Sequence, residues 1–226
     1  MKLFFSFCTT LVSFLLLSCS TYKVEGTTSV PLLNGKKLYI KVPDNNDVVI
    51  LDSCEIVHGS FNMKGDVDSI MLGAVYVGGE SLMPIVIESG TIIVSIENKG
   101  LEVKGTPLNE RLYNFIKEKA LLEQRLSDAS HREIQMIMDG VPTDEVETTT
   151  KQELKTLTDE MNGLIVEFVT DNFDNLLSTQ IFVNYCQSFP HPIMTPAIQK
   201  IVENAPSDFK EHSFVKEYLQ KANEKD

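Results

Sequence analysis

Asp52, Ser53 and His58 stand close together in the chain and spell the letters of a nucleophilic triad. A catalytic serine needs a strained strand-to-helix elbow that exposes its hydroxyl. Ser53 instead follows Val48-Val49-Ile50-Leu51, a strand-like run. Asp52 and Ser53 are therefore expected to hydrogen-bond a turn rather than attack a substrate. The four histidines, His58, His131, His191 and His212, are scattered, with only chance carboxylates nearby. None has the i+3 or i+4 partner of a metal site. His191, between Pro190 and Pro192, reads as a loop residue. Asp171 and Asp174 could pair as acid and base, but beside Asn172 and Asn175 they read as caps and turns. Gly78-Gly79 is a turn, because no lysine or helix start follows it. Met136 and Met138 are expected to fill a core gap. No catalytic residue, cofactor or metal ligand is assigned. The balance of 20 basic and 32 acidic side chains gives a net charge of −12, so the chain is a poor neutraliser of phosphates and no nucleic-acid partner is expected.

Cysteine chemistry depends on what precedes it. Lys2 is followed by an apolar run from Leu3 to Leu17, which is shorter than the roughly 20 residues needed to span a bilayer. This pattern describes a secretory signal over residues 1–18. The run ends in Leu16-Leu17-Ser18-Cys19, which resembles the lipobox of bacterial lipoproteins. That resemblance implies cleavage before Cys19 and a lipid on its sulfur, with the membrane as a partner through that lipid. No acidic run follows Cys19, which favours a periplasm-facing position at the outer membrane. Cys8 would leave with the signal, so Cys54 and Cys186 are the remaining thiols, free or paired. An oxidising compartment permits a disulfide. Cys186 lies on an apolar face with Phe182 and Phe189, where a buried free thiol is the simpler expectation. No Cys-x-x-Cys occurs.

Two halves with different periods would position these groups. Over residues 19–105 the chain reads as about seven short strands, among them Leu38–Val42, Val48–Leu51, Phe61–Met63, Ile70–Val77, Pro84–Ile87 and Thr91–Ile96. Their spacing, with turn formers such as Pro43-Asp44-Asn45-Asn46-Asp47, predicts an antiparallel β-sandwich or barrel-like domain. From residue 106 to 226 the period becomes helical, and four to five helices are expected, for an α+β chain overall. Thr106 and Pro107 would start the first, whose Leu108, Leu112, Phe115, Leu122, Leu126 and Ala129 share a face. A second starts near Thr143, a third near Asn175, a fourth at Thr195-Pro196 and a fifth at Ser207. Residues 106–226 carry 12 basic and 21 acidic side chains, read as solvated helix faces.

Ile50-Leu51-Asp52-Ser53 followed by Gly59-Ser60-Phe61-Asn62-Met63-Lys64-Gly65 resembles a signature of a Bacteroidetes lipoprotein family. So do Pro84-Ile85-Val86-Ile87-Glu88-Ser89-Gly90 and Val103-Lys104-Gly105-Thr106-Pro107-Leu108-Asn109. The family is the N-terminal domain of unknown function 4369, which commonly precedes a thioredoxin-like domain in thiol–disulfide interchange lipoproteins. The thioredoxin part of such relatives would follow the last helix, where this sequence reaches Asp226, so their redox chemistry is not carried over. The expectation is a non-catalytic binding or scaffold lipoprotein of the envelope with a protein partner. The alternative is an accessory part of a thiol-redox system that acts with a separate thioredoxin-like partner. The binding reading predicts a moderately apolar groove between sheet and helices.

Overall fold

The computed structural model describes residues 20–44 and 47–224. The signal region 1–18 and Cys19 lie outside the described residues, as do Asn45 and Asn46 of the predicted turn.

Eight strands come first: β1 (Thr21–Thr28), β2 (Lys37–Asp44), β3 (Asp47–Glu55), β4 (Ser60–Asp66), β5 (Met71–Val77), β6 (Glu80–Ile87), β7 (Gly90–Glu97) and β8 (Gly100–Lys104). They form two four-stranded sheets, ordered β4-β1-β7-β8 and β3-β2-β5-β6. The two-residue side-chain period turns one face of each sheet inward. Tyr22, Val24, Ile92, Val94 and Phe61 from one sheet meet Leu38, Ile40, Val75, Ile85 and Ile87 from the other, all at most 2% exposed. Gly26 lies opposite Phe61 in register, and a Cβ there would overlap the Phe61 ring, so the glycine is required for the ring to lie flat. The sandwich is as expected, with one exception to its antiparallel pairing. β1 is antiparallel to β4 but parallel to β7. The sequence reading also passes over β1 itself, whose buried positions are Tyr22, Val24 and Gly26, too few apolar side chains to show an alternation.

Six helices follow: α1 (Pro107–Met138), α2 (Thr143–Asp171), α3 (Leu176–Gln187), α4 (Pro196–Asn204), α5 (Ser207–Glu211) and α6 (Ser213–Asn223). The expected fifth helix is two, because His212 adopts an extended ψ of 130°. The break has a geometric cause. Phe209 and Val215 are both buried, yet six residues apart they fall on different faces of one continuous helix, and the break lets both reach the core. α1 and α2 form a long antiparallel hairpin, with Ala129, Val146, Thr150 and Leu157 buried along its seam. Across its outer surface Arg125 pairs with Glu160 and Arg132 with Glu153. Met136 is half-buried, but Met138 lies 76% exposed at the hairpin tip, so only the first of these methionines fills space as expected.

The two halves have separate hydrophobic cores. Val86 links them. It sits on β6 between inward-facing Ile85 and Ile87, so its own side chain points out of the sandwich and joins the helical core that includes Leu112, Phe115 and Phe182.

Candidate functional site

The junction between the halves is built on polar groups that the sequence reading did not single out. β6 is the last strand of its sheet, so its outer backbone groups need partners. Asn109, fully buried near the start of α1, supplies them. Its Oδ1 accepts from the Val86 N–H at 2.9 Å, and its Nδ2 donates to the Val86 carbonyl at 2.7 Å. The carboxamide thus replaces one residue of a missing neighbouring strand. Nδ2 also donates to Thr106 Oγ1 at 2.9 Å, and Tyr113 donates its hydroxyl to the Pro84 carbonyl at 2.9 Å. Burial pushes the Tyr113 hydroxyl well above the usual tyrosine range.

Thr106 was expected to cap α1, but its hydroxyl makes no cap bond to the helix backbone. The cap comes from Glu88, 6% exposed, at the end of β6. One of its carboxylate oxygens accepts from the N–H of Leu108 at 2.9 Å and of Asn109 at 3.2 Å. A carboxylate at a helix N-terminus satisfies free donors and meets the positive end of the helix dipole. Gly105 makes the approach possible. Its φ is +91°, and a Cβ there would lie 2.5 Å from the Thr91 carbonyl oxygen. The segments 84–90 and 103–109 are therefore two halves of one joint. A glutamate closing an apolar strand and an asparagine just inside a proline-started helix were the available signals.

Beyond this joint α1 leaves the sheet, and a cleft of about 660 Å³ opens between α1, α2 and α3. Leu72 and Pro84 close its sheet end, Leu112, Ile116 and Leu126 line the α1 wall, and Ile165, Ile181 and Tyr185 lie on the other side. The expected groove lay between sheet and helices; this cleft lies mainly among the helices, and only Leu72 and Pro84 belong to the sheet. Its polar rim is already paired within itself. Lys119 bonds Glu123, Gln180 Nε2 donates to Asn184 Oδ1 at 3.0 Å, and Tyr185 donates to Asn162 Oδ1 at 2.8 Å. A second, more open depression of about 560 Å³ mixes Arg111, Glu118, Glu167 and Asp171 with Phe115, Leu164 and Phe168. There Arg111 donates to Asn172 Oδ1 at 3.3 Å.

Of the candidate chemical residues singled out in the sequence, Asp171 lines the second depression, and the others do not converge on either feature. Asp52 accepts from the Tyr22 hydroxyl at 3.3 Å and from the N–H of Ser53 at 2.6 Å. Burial, with Asp52 beside it, pushes the Tyr22 hydroxyl up to about 12. His58 lies in the tight turn before β4, with φ of 51°, and Asp52 bonds Tyr22 rather than any base. All four histidines are exposed, and among the described residues no group of three His, Cys, Asp or Glu could hold a metal ion. Asp174 accepts from the Asn175 side chain, and Asn175 caps α3 through the Leu177 N–H at 3.0 Å.

Cys54 and Cys186 are both free thiols. Cys54 lines the sandwich core and Cys186 is buried in the helical one. Burial pushes the Cys54 thiol up; the Asn62 backbone acts against this and Asp52 adds to it. Burial pushes Cys186 up to about 12, against the opposing hydrogen bond of Tyr218. A thiol so held carries little thiolate at neutral pH and is a poor nucleophile.

Residues 22–112 match the family model described as Domain of unknown function (DUF4369). The match runs from β1 to Leu112 and includes both halves of the joint, together with the β3–β4 segment whose Asp52 accepts from Tyr22 of β1. No curated protein matches the chain. No described helix is long and apolar enough to cross a membrane.

Proposed function

We propose that the protein is an envelope lipoprotein of the Bacteroidetes type, anchored through a lipid on Cys19 and facing the periplasm, that works as a non-catalytic binding or scaffold module. The observation that carries this reading is the apolar cleft among α1, α2 and α3, closed at one end by Leu72 and Pro84 of the sheet. Binding sites are typically apolar clefts of this size with a few placed polar groups. A rigid joint supports such a site. Asn109 and Glu88 lock α1 onto β6, so the α1 wall is held in a fixed relation to the sheet end. The thiols support binding over direct thiol exchange, since burial raises the pKa of both.

Two measurements test the proposal. Metabolic labelling with a palmitate analogue is expected to mark the wild-type chain, and Cys19→Ser is expected to lose both label and membrane association. An unlabelled wild type would sink the lipoprotein reading. A photo-crosslinking side chain at Asn184, on the cleft rim, is expected to trap a discrete envelope component. Adducts forming only from a control position such as Lys23 on β1 would move binding away from the cleft.

A further inference from the structure

We infer that the end of the sandwich at which β1 begins is a docking face that lies against a bilayer of neutral phospholipids, with Val48, Ile50 and Ile70 in contact with it. The inference rests on the lipid on Cys19 proposed above. Strand register, tether length and charge carry it.

Register brings the face together. Thr21 of β1 lies opposite Asp66 at the end of β4, and Tyr22 lies beside Gly90 at the start of β7. Only Glu88 and Ser89 separate Gly90 from Ile87, which ends β6 and faces Met71 at the start of β5. These strand ends therefore share one end of the sandwich. β2 runs towards it, since Leu38 pairs with Val77 and Lys41 with Ala74. Its turn into β3, closed by Asp44 opposite Asp47, lies there too, with Val48 and Ile50 just past it. Val48, Ile50 and Ile70 are 54%, 58% and 50% exposed.

Such side chains do not by themselves choose a surface, because Leu32 and Val57 are as exposed at the opposite end. The tether chooses. Cys19 adjoins Ser20, whose carbonyl already accepts from the Val67 N–H at 2.9 Å. Consecutive Cα atoms are about 3.8 Å apart, so the lipid-bearing residue sits at the rim of this end with no free segment between. Ile70 follows Val67 by three residues, at most about 11 Å along the chain. A lipid in the bilayer then holds this end against the surface at high effective concentration, where modest apolar contact suffices.

Charge selects the surface. Asp47, Asp66 and Asp68 are exposed at this end. Lys104 and Lys41, which lie towards it, already meet Glu102 and the Tyr76 ring, and Lys64 stands two positions farther from the end than Asp66. An anionic surface would repel these carboxylates, so the face suits neutral headgroups and is held by apolar contact. Docked this way, α1 starts beside the membrane and leads away from it. Asn109 meets Val86 and Tyr113 meets Pro84, so α1 passes back along β6 from its end towards its start.

The full-length, lipid-bearing chain is reconstituted on phosphatidylcholine vesicles for the test. It has no tryptophan, so Ile70→Trp, Ile50→Trp and Leu32→Trp each place a single reporter, the last at the far end. The acyl chains are brominated near the headgroup, where they quench an indole at that depth. Ile70→Trp and Ile50→Trp are expected to shift to the blue and lose about half their emission, since a docked apolar face sits roughly 5–10 Å into the headgroup–acyl boundary. Leu32→Trp is expected to keep its emission. Phosphatidylglycerol at low salt is expected to reduce the quenching, and added salt to restore it. Palmitate-analogue labelling of the same preparation separates the two readings. Labelled protein whose Ile70 and Ile50 reporters stay unquenched overturns the docking face and leaves the anchor standing. An unlabelled chain overturns both. Equal quenching of Leu32→Trp, or stronger quenching on the anionic lipid, would also overturn the inference. So would a blue shift that follows protein concentration rather than lipid, which would assign the face to a second copy of the chain.

Discussion

Replacing Asn109 by alanine tests whether the joint is the element that makes two cores behave as one protein. The side chain is fully buried and makes three hydrogen bonds, two of them to the backbone of Val86, itself 0% exposed. Alanine leaves the Val86 N–H and C=O without partners in a dry site. Each buried orphan costs about 1–3 kcal/mol, so Asn109→Ala is expected to destabilise by roughly 3–5 kcal/mol. Against a whole-domain stability of about 5–15 kcal/mol this is a large fraction. Asn109→Leu keeps the volume but not the pairing and is expected to cost nearly as much. Thr106→Val removes an acceptor that serves only the Asn109 amide and should cost about 1 kcal/mol. Urea unfolding followed by circular dichroism gives the stabilities. Hydrogen exchange of the Val86 amide reports the joint directly and is expected to quicken in Asn109→Ala. The variant is also expected to split unfolding into two transitions, one for each core. A cost below about 1 kcal/mol for Asn109→Ala, or a wild-type Asn109→Leu, would refute the assignment of the side chain as a strand substitute.

Further expectations follow from the same structure. Gly105→Ala meets both a positive φ and the Thr91 carbonyl, and thermal melting should show a loss of at least about 2 kcal/mol. Native thiol titration at pH 8 should leave Cys186 unreacted and Cys54 slow, and both should react in denaturant; a rapidly reacting native thiol would revive direct exchange. Stability should fall as pH rises from about 9 towards 12. Thiols and tyrosines of the unfolded chain release protons near 8.5 and 10, whereas Cys186 and Tyr22 stay protonated in the native state to about 12. Urea midpoints across that range check the sign, and Tyr113→Phe should flatten the decline by removing another raised hydroxyl. Arg132→Ala breaks an exposed pair with Glu153, and its cost should stay below about 1 kcal/mol.

Local physics made much of this protein readable in its sequence. A stretch such as Thr91–Ile96 alternates with the period of a half-buried strand. Leu108, Leu112 and Phe115 repeat with that of a helix, and Thr195-Pro196 starts α4 with the Thr195 hydroxyl accepting from Ile198 at 3.2 Å. These signals need only neighbours in the chain. The same holds for the acidic excess and for the apolar run that ends at Cys19. The sequence predicted a groove between sheet and helices, whereas the apolar cleft lies mainly among α1, α2 and α3, and the side chains that line it come from helices far apart in the chain. Tertiary structure alone decided what depends on residues far apart in sequence. It set β1 beside β7, 68 positions later, in parallel. It moved the α1 cap from Thr106 to Glu88, and it made Asn109 complete the edge of a strand 23 residues earlier. A lone buried glutamate or asparagine looks like any other polar residue until its partner arrives from another element. Hydrogen bonding acts over about 3 Å, and only folding brings those atoms within that reach.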